Sequence, residues 1–250
     1  MSEKKNAVRL IALDMDGTLL NATDKVTEKN RNAIEEAKKH GVEVIISTGR
    51  HYSTSSDYAK SLGLTFLITV NGSEIWMTTG DLIDRQLLEI EQVEKLVELQ
   101  KKHQTWAWMT STESIWRGEV PKDLAAHQWL KFGFDTESDK IKQAILDELT
   151  KNEYLELSNS SDTNIEVNAM GINKAVAIEK VCERLGITMN EVMAVGDSLN
   201  DIKMIEAAGI GVAMGNAQDL VKKAADWVTL DNENSGVAEA IEQFVLQKTK

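Results

Sequence analysis

Val8-Arg9-Leu10-Ile11-Ala12-Leu13-Asp14-Met15-Asp16-Gly17-Thr18 opens as an apolar run and ends on two carboxylates. Leu10 to Leu13 is apolar at every position, the pattern of a short strand covered on both faces in a parallel sheet. The exit of such a strand is a natural place for chemistry. Asp14 and Asp16 stand two positions apart, so in extended chain their side chains point the same way, and Gly17 permits a sharp turn behind them. Two neighbouring carboxylates repel, and a divalent cation relieves the repulsion. An oxygen-rich site with few protein carboxylates suits Mg2+. The plainer reading makes Asp14 or Asp16 a turn former and Thr18 a cap. The spacing disfavours a calcium loop, because Gly17 comes fourth and Lys25 occupies the twelfth place, where an EF-hand carries Gly sixth and Glu twelfth.

Working outward, strand-like and helix-like segments alternate. A helical pattern at Thr27 to His40, capped by Thr27 and closed by Gly41, precedes a β-rich run at Val42 to Ile46. A helix at Tyr52 to Leu62 stops at Gly63 before a strand at Thr65 to Val70. The rhythm returns late, with helices at Lys174 to Leu185, Asp201 to Ala208, Ala217 to Ala225 and Gly236 to Leu246. Strands at Val192 to Val195, Ile210 to Ala213 and Trp227 to Thr229 lie between them. This alternation predicts an α/β fold with a doubly wound parallel sheet, helices on both faces.

Between Asp84 and Asn168 the rhythm changes to helix, strand, strand, twice over: Glu89 to Lys102, Thr105 to Met109, Ser114 to Arg117, then Lys140 to Lys151, Tyr154 to Leu157, Thr163 to Val167. A further helix at Lys122 to Lys131 is expected after Pro121, the only proline. The expected organisation is a core of residues 1–83 and 169–250 with an inserted α+β unit of residues 84–168, its small sheet covered by helices on one face. The insertion holds Trp106, Trp108, Trp116 and Trp129, four of the six tryptophans. Trp106 and Trp108 share a strand face and could form a platform for a ring or sugar, but packing against the helices is the favoured reading.

Composition sets limits. Asp and Glu outnumber Lys and Arg 40 to 28, which disfavours nucleic acid and anionic membrane as partners. No apolar stretch reaches membrane-spanning length, and Met1 to Asn6 lacks the apolar core of a signal peptide, so a cytoplasmic location is expected. The lone Cys182 reads as a small core residue. His40, His51, His103 and His127 have no ligand-like spacing for zinc and read as scattered surface residues. Gly209, Gly211 and Gly215 fail the dinucleotide fingerprint, because Met214 stands where the third glycine belongs.

Three more segments bear on Asp14 and Asp16. Ser47-Thr48-Gly49-Arg50 offers a hydroxyl, a backbone N–H and a helix start to a phosphate. Gly196-Asp197-Ser198-Leu199-Asn200-Asp201 brings carboxylates and an amide to a strand-to-helix junction; Asp197 could be a simple cap, whereas Asp201 lies too far into the turn for that. Lys174 opens a helix against its dipole, a placement for which a bound anion is one reason, although taken singly it reads as an ordinary surface lysine. All lie at strand ends or helix starts on one sheet edge. With Val70-Asn71-Gly72 and Gly211 to Ala217, these segments resemble the haloacid dehalogenase superfamily of phosphotransferases, and within it the Cof-type phosphatases with an inserted α+β cap of the second class.

The resemblance spans the chain and implies roles. Asp14 attacks phosphorus to form an aspartyl-phosphate, and Asp16 protonates the leaving oxygen and then deprotonates water. Mg2+ is held by Asp14, the Asp16 carbonyl and Asp197, with Asp201 in support. Met15, Thr48, Gly49, Lys174 and Asn200 hold the phosphoryl group; Arg50 either reaches the substrate or pairs with an acid. The implied activity is phosphomonoester hydrolysis on a small soluble metabolite, a sugar phosphate or a phosphorylated ribitylaminouracil. The alternatives are a sugar phosphomutase on the same scaffold and a binding protein without turnover. Substrate choice is assigned to the insertion, and the oligomeric state is not set by these residues.

Overall fold

Leu10–Leu13 forms strand β1, and every residue in it is fully buried, each large aliphatic side chain contributing about 2 kcal/mol on burial. The structure, a computed structural model, describes residues 7–246; Met1 to Asn6, on which the signal-peptide expectation rests, lie outside the described residues. Helix α1 (Glu28–Lys39) starts where the Thr27 hydroxyl accepts the Asn30 N–H at 3.2 Å, with Glu28 in its first turn and Lys38 and Lys39 in its last, as the helix dipole favours. It leads to β2 (Glu43–Ser47), α2 (Tyr52–Ser61) and β3 (Phe66–Thr69). Two strands absent from the sequence reading, β4 (Glu74–Met77) and β5 (Leu82–Arg85), follow as an antiparallel extension. Strand β5 therefore crosses the 83/84 boundary expected for the insertion.

After residue 169 come α5 (Lys174–Leu185), β11 (Val192–Gly196), α6 (Ile202–Ala207), β12 (Ile210–Ala213), α7 (Asp219–Ala224), β13 (Trp227–Val228) and α8 (Gly236–Phe244). The first sheet runs β13-β12-β11-β1-β2-β3-β4-β5, parallel through β3 and mixed only at its β4–β5 edge. Strand β1 lies between β2 and β11, so the chain leaves it in one direction and returns on the other side. That switch opens a crevice at the carboxyl ends of these strands, where Asp14, Thr48 and Asp197 emerge.

The intervening segment contains α3 (Ile90–His103), β6 (Trp106–Ser111), β7 (Ile115–Arg117), β8 (Trp129–Asp135), α4 (Asp139–Leu149), β9 (Leu155–Ser158) and β10 (Asn164–Ala169). They build an antiparallel sheet in the order β7-β6-β8-β10-β9, with its own apolar cluster. Here the sequence reading is corrected: Lys122 to Lys131 is not a helix. Only a short 3-10 turn at Leu124–Ala126 follows Pro121, and Trp129 to Lys131 begin β8, the central strand of this sheet. Leu130, Phe132 and Phe134 alternate with Lys131 and Gly133, which is strand periodicity. Among the described residues no helix is long and apolar enough to cross a membrane.

Candidate functional site

Lys174 is the anchor of the site. It is completely buried at the first position of α5, and its Nζ donates to Asp14 Oδ1 at 2.6 Å and to Asp201 Oδ1 at 2.7 Å. It is therefore not a surface lysine, and the anions beside it are the protein's own carboxylates. Burial would lower the Lys174 pKa, but the charges of Asp14 and Asp201 outweigh it and hold the ammonium protonated well beyond its usual range.

Asp14, Asp197 and Asp201 converge so that each offers an oxygen within 4.8 Å of the others. Burial pushes the Asp14 carboxyl well above its usual range, with Lys174 acting against the shift. Burial and the Asp201 charge raise Asp197 to about 6. Three carboxylates facing one ammonium leave negative charge in a desolvated pocket, a donor set that fits a divalent cation taking oxygen ligands. Asp197 is further fixed by the Thr18 hydroxyl at 2.9 Å and the Ser198 hydroxyl at 3.1 Å. Gly17 is required here: at φ +77°, a Cβ on it would sit 2.4 Å from Asp197 Oδ2.

Asp201 also corrects the sequence reading. Its Oδ2 accepts the N–H groups of Asp197 and Ser198 at 2.9 and 3.0 Å, so it does cap this turn, through a capping box with Ser198, while also holding Lys174. Asp16 stands apart from the three carboxylates. It faces the cavity, half exposed, gripped by the Arg50 guanidinium with Nε at 2.9 Å from Oδ2; Arg50 also reaches Asp24 at 2.9 Å. Those bonds, foremost the one to Asp16, raise the Arg50 pKa against its burial. Arg50 thus pairs with two acids.

Met15 is fully buried and does not line the cavity. Thr48 is also fully buried, its hydroxyl accepting the Arg50 N–H at 3.1 Å, and Gly49 lines the cavity. Asn200 lines it too, donating to Asn71 Oδ1 at 3.2 Å while its own Oδ1 is buried with no partner among the described residues. Val70 and Asn71 both adopt left-handed backbone, φ 51° and 60°, strain held by hydrogen bonds to the carbonyls of Arg50 and Thr48. Asn216, in the Gly211 to Ala217 segment, holds the Gly17 carbonyl at 2.8 Å.

The cavity has a volume of about 450 Å³ and is walled on one side by the core and on the other by the five-stranded sheet. Several of its residues escaped the sequence reading. Lys131 is buried, donates to the Gly49 carbonyl at 2.9 Å and pairs with buried Glu166 at 3.3 Å. Glu166 accepts from Asn71 and from the Ser160 hydroxyl, and although burial opposes it, these partners and Lys131 lower its pKa. A buried polar network thus crosses from one sheet to the other. The missed signal is the charge at Lys131 and Glu166, each flanked in its strand by buried apolar residues, Leu130 and Phe132 in one and Ile165 and Val167 in the other. Glu166→Gln is expected to destabilise the protein by about 2 kcal/mol in urea titration at neutral pH, since a charge-assisted bond is lost. Because the Glu166 pKa is lowered, the wild-type advantage is held above pH about 4.5 and shrinks as acidification protonates Glu166.

His51 is likewise corrected. It is buried, lines the cavity and bonds Ser53 at 2.8 Å and the Thr112 carbonyl at 3.3 Å, so it is no surface residue. Cys182 is a buried core residue as expected, its thiol pushed up to about 11 by burial.

Comparison with known proteins places this site in context. A family model for haloacid dehalogenase-like hydrolases matches residues 11–121 and 117–241. The 5-amino-6-(5-phospho-D-ribitylamino)uracil phosphatase YcsE of Bacillus subtilis (strain 168) is 55% identical over 240 residues, 96% of each chain. Phosphatase YwpJ of the same organism is 30% identical over 290 residues, 95% of this chain and all of its own. Among solved structures, a haloacid dehalogenase-like hydrolase from B. subtilis superposes with a TM-score of 0.88 at 26% identity, covering 95% of this chain and 100% of that one. The subclass IIB sugar phosphatase BT4131 shares the fold, with a TM-score of 0.82 at 23% identity over 95% of this chain and 99% of its own. Two carboxylate segments, a buried lysine and an α+β unit beside the strand ends thus have one common source: the chain belongs to the haloacid dehalogenase-like hydrolases.

Proposed function

We propose that this protein is a cytoplasmic, Mg2+-dependent phosphatase that releases inorganic phosphate from 5-amino-6-(5-phospho-D-ribitylamino)uracil. The observation that carries the chemistry is the buried Asp14–Lys174–Asp201 contact beside Asp197, of which Asp14 reaches the cavity wall. The substrate is suggested by the relative at 55% identity.

In the first step an Asp14 carboxylate oxygen bonds to phosphorus as the bond from phosphorus to the ribityl oxygen breaks. Asp16 gives that oxygen its proton. In the second step water attacks phosphorus, Asp16 takes its proton, and the Asp14–phosphorus bond breaks to free phosphate. The Arg50 grip suits Asp16 as a carboxylate, the form needed for the second step. The first step needs Asp16 neutral and so requires Arg50 to part from it, with Asp24 as the remaining partner. Lys174 keeps Asp14 oriented and offsets charge between nucleophile and phosphate. Asp14, Asp197, Asp201 and the Asp16 carbonyl would hold Mg2+, which supplies positive charge against the anionic substrate. Thr48, the backbone of Met15 and Gly49, and Asn200 would position the phosphoryl oxygens. Residues 84–168 are assigned the choice of leaving group.

Colorimetric release of phosphate from the ribitylaminouracil phosphate with Mg2+, abolished by a chelator, is the expected result. Conversion of a hexose 1-phosphate to its 6-phosphate without phosphate release would make the protein a mutase instead. Asp16→Asn is expected to lower kcat by about 10²- to 10⁴-fold on this substrate, whose alkoxide needs a proton. With p-nitrophenyl phosphate, whose leaving group departs unprotonated, a smaller loss of the first step is expected in quenched-flow traces.

A further inference from the structure

The cavity face of the five-stranded sheet is built in cross-strand rows. Arg117 pairs with Trp108, Trp108 with Gly133 and Gly133 with Glu166, so these four residues form one row on one face. Arg117, Trp108 and Glu166 all line the cavity that contains Asp14 and Asp16. The alternate residues Met109, Phe132 and Val167 turn to the helix side and join the apolar cluster. Trp108 therefore does not pack against the helices, which corrects the favoured reading of the sequence.

Gly133 explains how the indole sits. A Cβ there would lie 2.2 to 2.4 Å from three atoms of the Trp108 six-membered ring, so the missing side chain lets the ring lie down over the neighbouring strand. Trp106 braces it from the same strand, with ring centroids 5.8 Å apart. The next residue in the row, Arg117, is exposed and makes no ion pair among the described residues, in contrast to Lys131 and Glu166, which occupy each other.

We propose that Trp108, seated on Gly133, is the specificity-determining platform on which a planar, carbonyl-bearing heteroaromatic ring of the leaving group stacks, with the Arg117 guanidinium donating to the ring's carbonyl edge. The inference rests on the phosphatase reading and deepens it. An indole face attracts any π-face, and a guanidinium donates to a ring's carbonyl oxygens, so a pyrimidinedione satisfies both, whereas a plain polyol has no π-face to stack.

The test compares kcat/KM for 5-amino-6-(5-phospho-D-ribitylamino)uracil with that for D-ribitol 5-phosphate, which has the same chain and no ring. Trp108→Ala and Gly133→Val are each expected to lower the ratio of the two by about 10- to 100-fold, and Trp108→Phe by far less. Arg117→Ala is expected to lower the same ratio. Calorimetric binding of the ring-bearing phosphate to Asp14→Asn, with and without Trp108→Ala, reads the stacking without turnover and covers a failure of the phosphatase reading. A ratio unmoved by Trp108→Ala, or equal affinity of the two Asp14→Asn proteins, would overturn the platform while leaving phosphate release intact. Absence of phosphate release from every phosphomonoester would instead sink the phosphatase reading, and the binding comparison would still decide the platform.

Discussion

Asp14→Asn is expected to reduce phosphate release by at least about 10⁴-fold, the scale on which removal of a covalent nucleophile acts. An amide cannot supply the anionic oxygen that bonds to phosphorus. The variant should nonetheless remain folded. Asp14 is a buried carboxyl whose charge is disfavoured by desolvation and by Asp201 and Asp197, and Lys174 keeps Asp201 as its partner at 2.7 Å. Substrate binding, measured by calorimetry with Mg2+ present, should persist. An inactive but folded and binding-competent protein separates the role of Asp14 in bond making from a role in structure.

Lys174→Met is expected to impair both activity and stability. Removing the ammonium leaves Asp14 and Asp201 buried with no cation, and breaking a buried pair in this way costs about 3 to 5 kcal/mol. Turnover should fall by about 10²- to 10³-fold or more, the effect of losing one charge-stabilising donor. The pH dependence has a definite sign. Asp14 and Asp197 have raised pKa values in the folded protein, Asp197 at about 6, so above pH 3.8 the native state holds protons that the unfolded chain has released. Stability from these groups therefore falls as pH rises through about 4 to 6 and beyond. In the variant nothing offsets their charge, so its deficit in urea titrations should be smaller at pH 5 than at pH 8. Mg2+ should restore part of the deficit at pH 8 and less at pH 5, where protons compete for the same oxygens.

Much of the site was legible because its residues break local rules. Two acids behind a fully apolar strand repel and call for a cation, a lysine opening a helix against its dipole admits an anion as one reason, and Asp14, Asp201 and Lys174 are one another's partners. The parallel strands were legible for a simpler reason: four or five apolar residues between helical patterns have few other uses. What escaped was encoded across strands instead of along them. Strand β8 was hidden by Pro121, a helix-start residue that here ends in one short turn, while the Phe132-Gly133-Phe134 alternation carried the true signal. The Lys131–Glu166 pair and the seating of Trp108 on Gly133 depend on antiparallel register, which no local pattern specifies. Asp201 was misjudged for the opposite reason, since one carboxylate performs two tasks: it caps a turn and holds a buried ammonium.

The central claim is that phosphate passes through a covalent bond to Asp14. Asp16→Asn mixed with p-nitrophenyl phosphate and Mg2+ retains the first step but loses the base for the second, so the intermediate should accumulate. Acid quenching followed by peptide mass spectrometry should find a phosphoryl group on Asp14, in an amount matching the nitrophenolate burst. A burst with the phosphoryl group on another residue, or nitrophenolate release matched at every time by free phosphate with Asp14 unmodified, would contradict it.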